Sequence, residues 1–121
     1  MNPLPHPTDG ASYAEAYSLA WTRDPFALLD FFTSDGVYAD MAMDASYAGH
    51  DEITRFHRWM MKFAPDSVIE FFESAAAGGR LYLDWVWSGS FDGALRLPDG
   101  SVVAGSGKRF AVPGVASCRY R

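Results

Sequence analysis

The sequence predicts one α+β domain with its helices first and its strands after them. Three observations predict it. Apolar residues recur at helical spacing up to about residue 64. From residue 67 they alternate. Pro, Gly and Asp stand at the junctions between these segments. A chain of 121 residues has room for one core and not for two. The expected layout is an irregular segment over 1–11 and a single domain over 12–121.

The elements follow in order. Residues 1–10 carry Pro3, Pro5 and Pro7 and no apolar run, so they read as neither a signal peptide nor a membrane span. Ser12 and Glu15 have the spacing of a capping box. Tyr13, Ala16, Tyr17, Ala20 and Trp21 then make one helical face. Asp24-Pro25 restarts the helix, with Asp as cap and Pro in the first turn. Phe26, Leu28, Leu29, Phe31 and Phe32 form a short second helix that Asp35-Gly36 breaks. Residues 37–40 form a short strand and 41–49 a loop. A third helix over 50–64 buries Ile53, Phe56, Met60 and Phe63, with His57 and Met61 at the border, and stops at Pro65.

The period then changes to two. Strands are expected over 67–75, 81–88 and 101–112, the last kinked at Pro113-Gly114 and continued over 115–121. Gly78-Gly79 and Pro98-Asp99-Gly100 are turns. Leu81, Leu83, Trp85 and Trp87 share one face of the second strand, and Tyr82 and Val86 make the other face bulky as well. A second copy of the chain is the expected cover for that outer face.

Composition narrows the functions. Hydrophobic residues make up 49% and charged residues 21%, as in a globular domain. Nine Phe, six Tyr and four Trp suggest a dense core, a lined cavity or an interface. The net charge is −5, and no Lys/Arg stripe offers a nucleic-acid footprint. Cys118 is the single cysteine, which excludes an internal disulfide and a Cys/His zinc site and makes a reducing, cytoplasmic setting the expectation.

Four stretches in this order carry a resemblance: Tyr17-Ser-Leu-Ala-Trp-Thr-Arg-Asp24, Leu28-Leu29-Asp30-Phe31-Phe32, Asp35-Gly36-Val37-Tyr38-Ala39-Asp40, and Gly49-His-Asp-Glu-Ile53-Thr-Arg-Phe56. With Lys108-Arg-Phe-Ala-Val-Pro-Gly114-Val-Ala-Ser they resemble the SnoaL-like (polyketide cyclase-like) group of the nuclear transport factor 2-like, ketosteroid isomerase-like superfamily, over about residues 13–121. The resemblance implies a cone-shaped barrel, three helices packed on a curved, mostly antiparallel sheet, with a pocket at its mouth. It implies homodimers through the outer sheet face. It also implies activities from isomerisation and cyclisation to hydrolysis and plain binding, so fold does not settle function. In that group a further strand usually follows the one resembling Cys118-Arg-Tyr-Arg; the expectation is a truncated chain or an edge left for a partner.

By the same resemblance, Asp40 stands where the isomerase branch places its general base. A carboxylate at the mouth of an apolar pocket can remove a proton beside a carbonyl; the plainer role is a turn-forming Asp at a strand end. His57 stands where that branch places a pocket tyrosine, and is either a donor to substrate or a helix His bonded to a carbonyl. Tyr17, Tyr38, Phe56, Met60, Trp85 and Trp87 are the expected lining of a site for a small apolar molecule. The isomerases' enolate donors fall on Ala16 and Ala116, which cannot donate; Tyr13 or Tyr17 could substitute. An Asp-Arg-Asp hydrolase set would need Asp84, Arg109 and Asp40, but Asp84 should face away. The expected enzyme reading is proton-transfer chemistry without metal or organic cofactor. The rival is a non-catalytic binding or interaction domain.

Overall fold

The computed structural model describes residues 4–120, apart from the side chain of residue 73. The expected Pro3 and the strand end at Arg121 lie outside the described residues. The elements run α1 (Gly10–Arg23), α2 (Pro25–Leu29), β1 (Val37–Asp40), β2 (Ala45–Ala48), α3 (Gly49–Phe63), β3 (Val68–Ala77), β4 (Arg80–Ser90), β5 (Leu95–Arg96), β6 (Val102–Val103) and β7 (Arg109–Arg119). Among the described residues no helix is long and apolar enough to cross a membrane.

All strand pairs are antiparallel. The main sheet has the order β3-β4-β7, and the hairpins β1-β2 and β5-β6 stand apart from it. Register places Leu81, Leu83, Trp85 and Trp87 opposite Cys118, Ala116, Gly114 and Val112, all on the inner face. Leu81 and Leu83 are fully buried there, each gaining roughly 1.5–3 kcal/mol. Trp85 lies directly over Gly114, where a Cβ would collide with the indole, so a glycine is required at that point of β7.

Helix α1 lies along the free edge of β3 and satisfies it with side chains. Ser18 Oγ accepts from Phe71 N at 2.7 Å, and Thr22 Oγ1 accepts from Ile69 N at 3.0 Å. Thr22 Oγ1 also donates to Ile69 O at 3.1 Å. The spacing fits: four helix residues rise about 6 Å and two strand residues advance about 6.6 Å. Two hydroxyls one turn apart therefore meet alternate backbone groups of the strand. The stripe begins with Ala14, which is buried against the same edge.

Several local expectations are corrected. Helix α1 starts at Gly10 and not at Ser12, and no capping box forms. Asp9 is the cap residue without a side-chain bond to the helix; its Oδ2 accepts from His6 N at 2.9 Å, on the other side of the turn. Helix α2 ends at Leu29; Phe31 and Phe32 continue as tighter turns on Leu28 O and Leu29 O. The expected loop over 41–49 contains β2, which pairs with β1 around a turn that puts Asp44 at φ 51°. The single strand expected over 101–112 is divided: Val102–Val103 pair with Leu95–Arg96, and β7 begins only at Arg109. Gly105 passes so close to the Asp92 carbonyl that a side chain would not fit, which holds the intervening chain out of the sheet. The expected continuation past Pro113-Gly114 is seen: β7 runs through both, with Pro113 opposite Val86 on an edge strand. Asp66, just after Pro65, accepts from Ser90 N at 2.8 Å and meets Arg109 at 3.4 Å, linking this turn to β4 and β7.

Removing the edge hydroxyls should expose the seam. Ser18→Ala and Thr22→Val are each expected to lower stability by about 1–3 kcal/mol. The amides of Phe71 and Ile69 should then exchange faster, read by urea unfolding and hydrogen exchange. Unchanged exchange at both amides would remove this role from the helix.

Candidate functional site

The rings of the interior gather in two clusters bridged by Trp59, which stacks on Phe56 at 5.7 Å and on Phe63 at 6.3 Å. The first joins α1, β1, β2 and α3. Tyr17 lies 6.2 Å from Trp21 between ring centroids; Trp21 lies 5.4 Å from Tyr38 and 6.0 Å from Phe56; and Tyr47 lies 4.8 Å from Phe56. The second group lies toward the far end of α3, where Phe63 packs on Trp87, Phe91 and Phe110.

The expected lining is therefore split between two places. Tyr17, Tyr38 and Phe56 meet in the first group. Trp87 belongs to the second, with its indole N–H donating to Ser67 Oγ at 2.9 Å. Met60 is a buried core residue of α3, and Trp85 lies half-buried over Gly114. Asp84 points to the outer face beside Val115, and Arg109 is bound to Asp66 and Ser90, so neither joins Asp40.

Asp40 ends β1 with one carboxylate oxygen fixed. Its Oδ1 accepts from Ala42 N and Met43 N, both at 3.1 Å. Those bonds form the turn into β2, as a strand-end Asp does. They also fix the carboxylate in place, while Oδ2 has no hydrogen bond among the described residues. Tyr38 and Tyr47 flank it. Burial raises the phenol pKa of both, and the negative charge of Asp40 raises it further.

His57 is buried, and its Nε2 lies 2.8 Å from Trp21 O. A carbonyl only accepts, so that nitrogen carries the proton and donates to α1. Its ring is 5.9 Å from the Trp21 ring. His57 and Asp40 are thus neighbours of the same aromatic group through different members, Trp21 for one and Tyr38 for the other.

Two residues that sequence reasoning did not place in the site, Cys118 and Trp21, also converge here. Tyr13, Tyr17 and Tyr38 all sense Cys118, which projects from the inner face of β7. Burial pushes the Cys118 thiol up from its usual range. Burial first, then Cys118, pushes Tyr13 up to about 12 and Tyr17 well above the ordinary phenol value. Trp21 completes the group. The helical face of Tyr13, Tyr17 and Trp21 was legible in the sequence; the approach of Cys118 was not, because it depends on how β7 pairs with β4. Among the described residues no three His, Cys, Asp or Glu side chains come together to hold a metal.

The raised phenols set the alkaline behaviour. Tyr13 has a folded pKa of about 12 against 10.0 unfolded, so its contribution to stability is complete below pH 10 and is lost as pH rises through 12. Denaturation midpoints should fall across that window, and tyrosinate absorbance from the buried rings should emerge together with unfolding. Ionisation of all six tyrosines near pH 10 in a folded chain would contradict this.

Comparison with known proteins places this arrangement. A ketosteroid isomerase-like protein from Catenulispora acidiphila, solved in complex with trimethylamine, superposes with a TM-score of 0.72 at 25% identity, over 98% of this chain and 78% of that one. A candidate polyketide cyclase from Sinorhizobium meliloti gives a TM-score of 0.65 at 24% identity, over 97% and 91%. A candidate SnoaL-like polyketide cyclase from Jannaschia sp. CCS1 gives 0.65 at 14%, over 85% and 73%. No curated protein matches the sequence. The helices and mostly antiparallel strands of this chain form the nuclear transport factor 2-like, ketosteroid isomerase-like fold. The SnoaL-like domain family matches residues 13–121, and the chain belongs to that family.

Proposed function

We propose that the chain is a cofactor-free cyclase or isomerase for a small, largely apolar carbonyl compound, with Asp40 as the proton-transfer base. The observation that carries this reading is the state of Asp40. One oxygen is fixed by two backbone N–H groups, the other is unengaged among the described residues, and two phenols border it beside a group of packed rings. A base positioned in this way removes a proton from the carbon next to a carbonyl. The C–H pair becomes a C=C bond and the carbonyl oxygen takes the charge as an enolate. The proton held on Asp40 then returns to another carbon, or the enolate carbon closes a ring. Tyr17, Tyr38 and Phe56 supply the apolar wall. His57 acts on substrate through the Trp21 carbonyl that it holds, as a positioning residue.

A second reading is a small-ligand site without turnover, and the rings favour it. Trp21, Tyr38, Tyr47 and Phe56 beside the Asp40 anion suit a methylated ammonium ion held by cation–π attraction. The ketosteroid isomerase-like relative in complex with trimethylamine gives this reading a chemical precedent. Homodimerisation belongs to either reading. The outer sheet face carries Val68, Phe72, Tyr82 and Val115 exposed, Val115 at 67%. A second copy covers such a face most simply.

Asp40→Asn should reduce turnover about 10²–10⁴-fold on a confirmed carbonyl substrate; a loss below about threefold would remove Asp40 as the base. Calorimetry with trimethylammonium ion decides the second reading: binding that Asp40→Asn weakens, with no carbonyl turnover by the parent protein, supports it. Phe72→Glu with Val115→Glu should convert a dimer to a monomer in sedimentation. A parent protein that sediments as a monomer at micromolar concentration would dispose of the dimer.

A further inference from the structure

Trp21 has only 3% of its surface exposed, yet its indole Nε1–H has no hydrogen-bond acceptor. Among the described residues it is the one buried side-chain nitrogen or oxygen left in this state. Native interiors keep few such groups, because an unmet buried donor is destabilising. Phenylalanine would provide a ring here without that burden. No neighbour meets it: Phe56 has no acceptor, and the His57 ring, held by its Nε2 on the Trp21 carbonyl, makes no hydrogen bond to the indole. The Tyr17 hydroxyl is close enough for the indole to act on its ionisation. The indole favours its anion, but the pair falls short of hydrogen-bond geometry.

We propose that the Trp21 Nε1–H is kept free for a ligand and donates to the carbonyl, then enolate, oxygen of a substrate whose acidic carbon faces Asp40. This rests on the proton-transfer reading above. Tyr38 is the wall common to both ends: its ring lies 5.4 Å from that of Trp21, and its hydroxyl senses the charge of Asp40. Donor and base thus flank one ring. On the β7 side of these rings the inner-face residues Ala116 and Cys118 are half-buried. As the C–H pair becomes a C=C bond, negative charge grows on the oxygen and the N–H···O bond strengthens. A donor that gains in the transition state accelerates the reaction.

The test uses 4-nitrophenol, a flat ring whose phenolate oxygen imitates an enolate, with the full chain labelled with ¹⁵N. Four tryptophans give four indole signals. Binding should move the Trp21 Nε1–H signal downfield and leave the other three in place. Trp21→Phe should bind the probe at least about tenfold more weakly, a change of about 1.4 kcal/mol, with its ligand-free stability equal or higher. A Trp21 signal unmoved at saturation, equal affinity in Trp21→Phe, or no binding of the probe would each overturn the proposal. So would a signal already downfield and slow to exchange without ligand, which would mark a partner inside the protein. If Trp21→Phe does not fold, the signal in the parent protein decides. A moved signal together with full turnover in Asp40→Asn would retire Asp40 as base and leave the Trp21 acceptor site standing.

Discussion

The hydroxyl seam between α1 and β3 is the constraint on which the rest of this structure depends. A strand edge carries unpaired backbone groups, and a neighbouring strand usually satisfies them. Here Ser18 and Thr22 do so from a helix. Because the helix pitch and strand rise nearly agree over this interval, the seam fixes both the height and the rotation of α1 against the sheet. Rotation decides what Tyr13, Tyr17 and Trp21 face. With the 14-18-22 stripe on the strand edge, the aromatic stripe turns inward over Leu81 and Leu83 and toward Tyr38 and Phe56.

That placement explains how a short chain assembles so many rings in two clusters joined through Trp59. One group forms around α1 and the β1-β2 hairpin, and another forms where the end of α3 meets β4 and β7. The second group has its polar edges satisfied, as the Trp87–Ser67 bond illustrates, and works as core. Polar groups remain in the first: the Asp40 carboxylate, four phenols with raised pKa, the Cys118 thiol and the Trp21 indole. Burial is the largest cause of each raised pKa among them. An environment that resists new charge rewards any ligand group able to meet a fixed donor or a fixed anion.

His57 shows how one residue can satisfy the plain reading while still bearing on a site. Its Nε2–H is engaged by a backbone carbonyl, so it is bound as a core histidine is bound. That carbonyl belongs to Trp21, whose side chain borders Tyr38. The bond therefore ties α3 to α1 at the point where the indole is oriented. Asp40 is similar: the two N–H bonds that make it a turn former also hold its carboxylate still.

Periodicity in the sequence determined the helices, the alternation of β4, the turns at Gly78-Gly79 and Pro98-Asp99-Gly100, the stripe of Tyr13, Tyr17 and Trp21, and the family resemblance, because these depend on residues close together in the chain. It misjudged the start of α1, where Asp9 and not Ser12 is the cap residue, and the course of residues 101–112, where Gly105 is pressed against the Asp92 carbonyl. Tertiary structure alone decided that Trp87 packs on Phe63 and Phe110, that Cys118 comes within reach of three tyrosines, and that the Trp21 N–H is left without a hydrogen-bond partner. Each of these turns on which strand pairs with which and on how one helix is rotated. Those choices are made by contacts some fifty residues apart in sequence, such as Ser18 with Phe71, which no local pattern encodes.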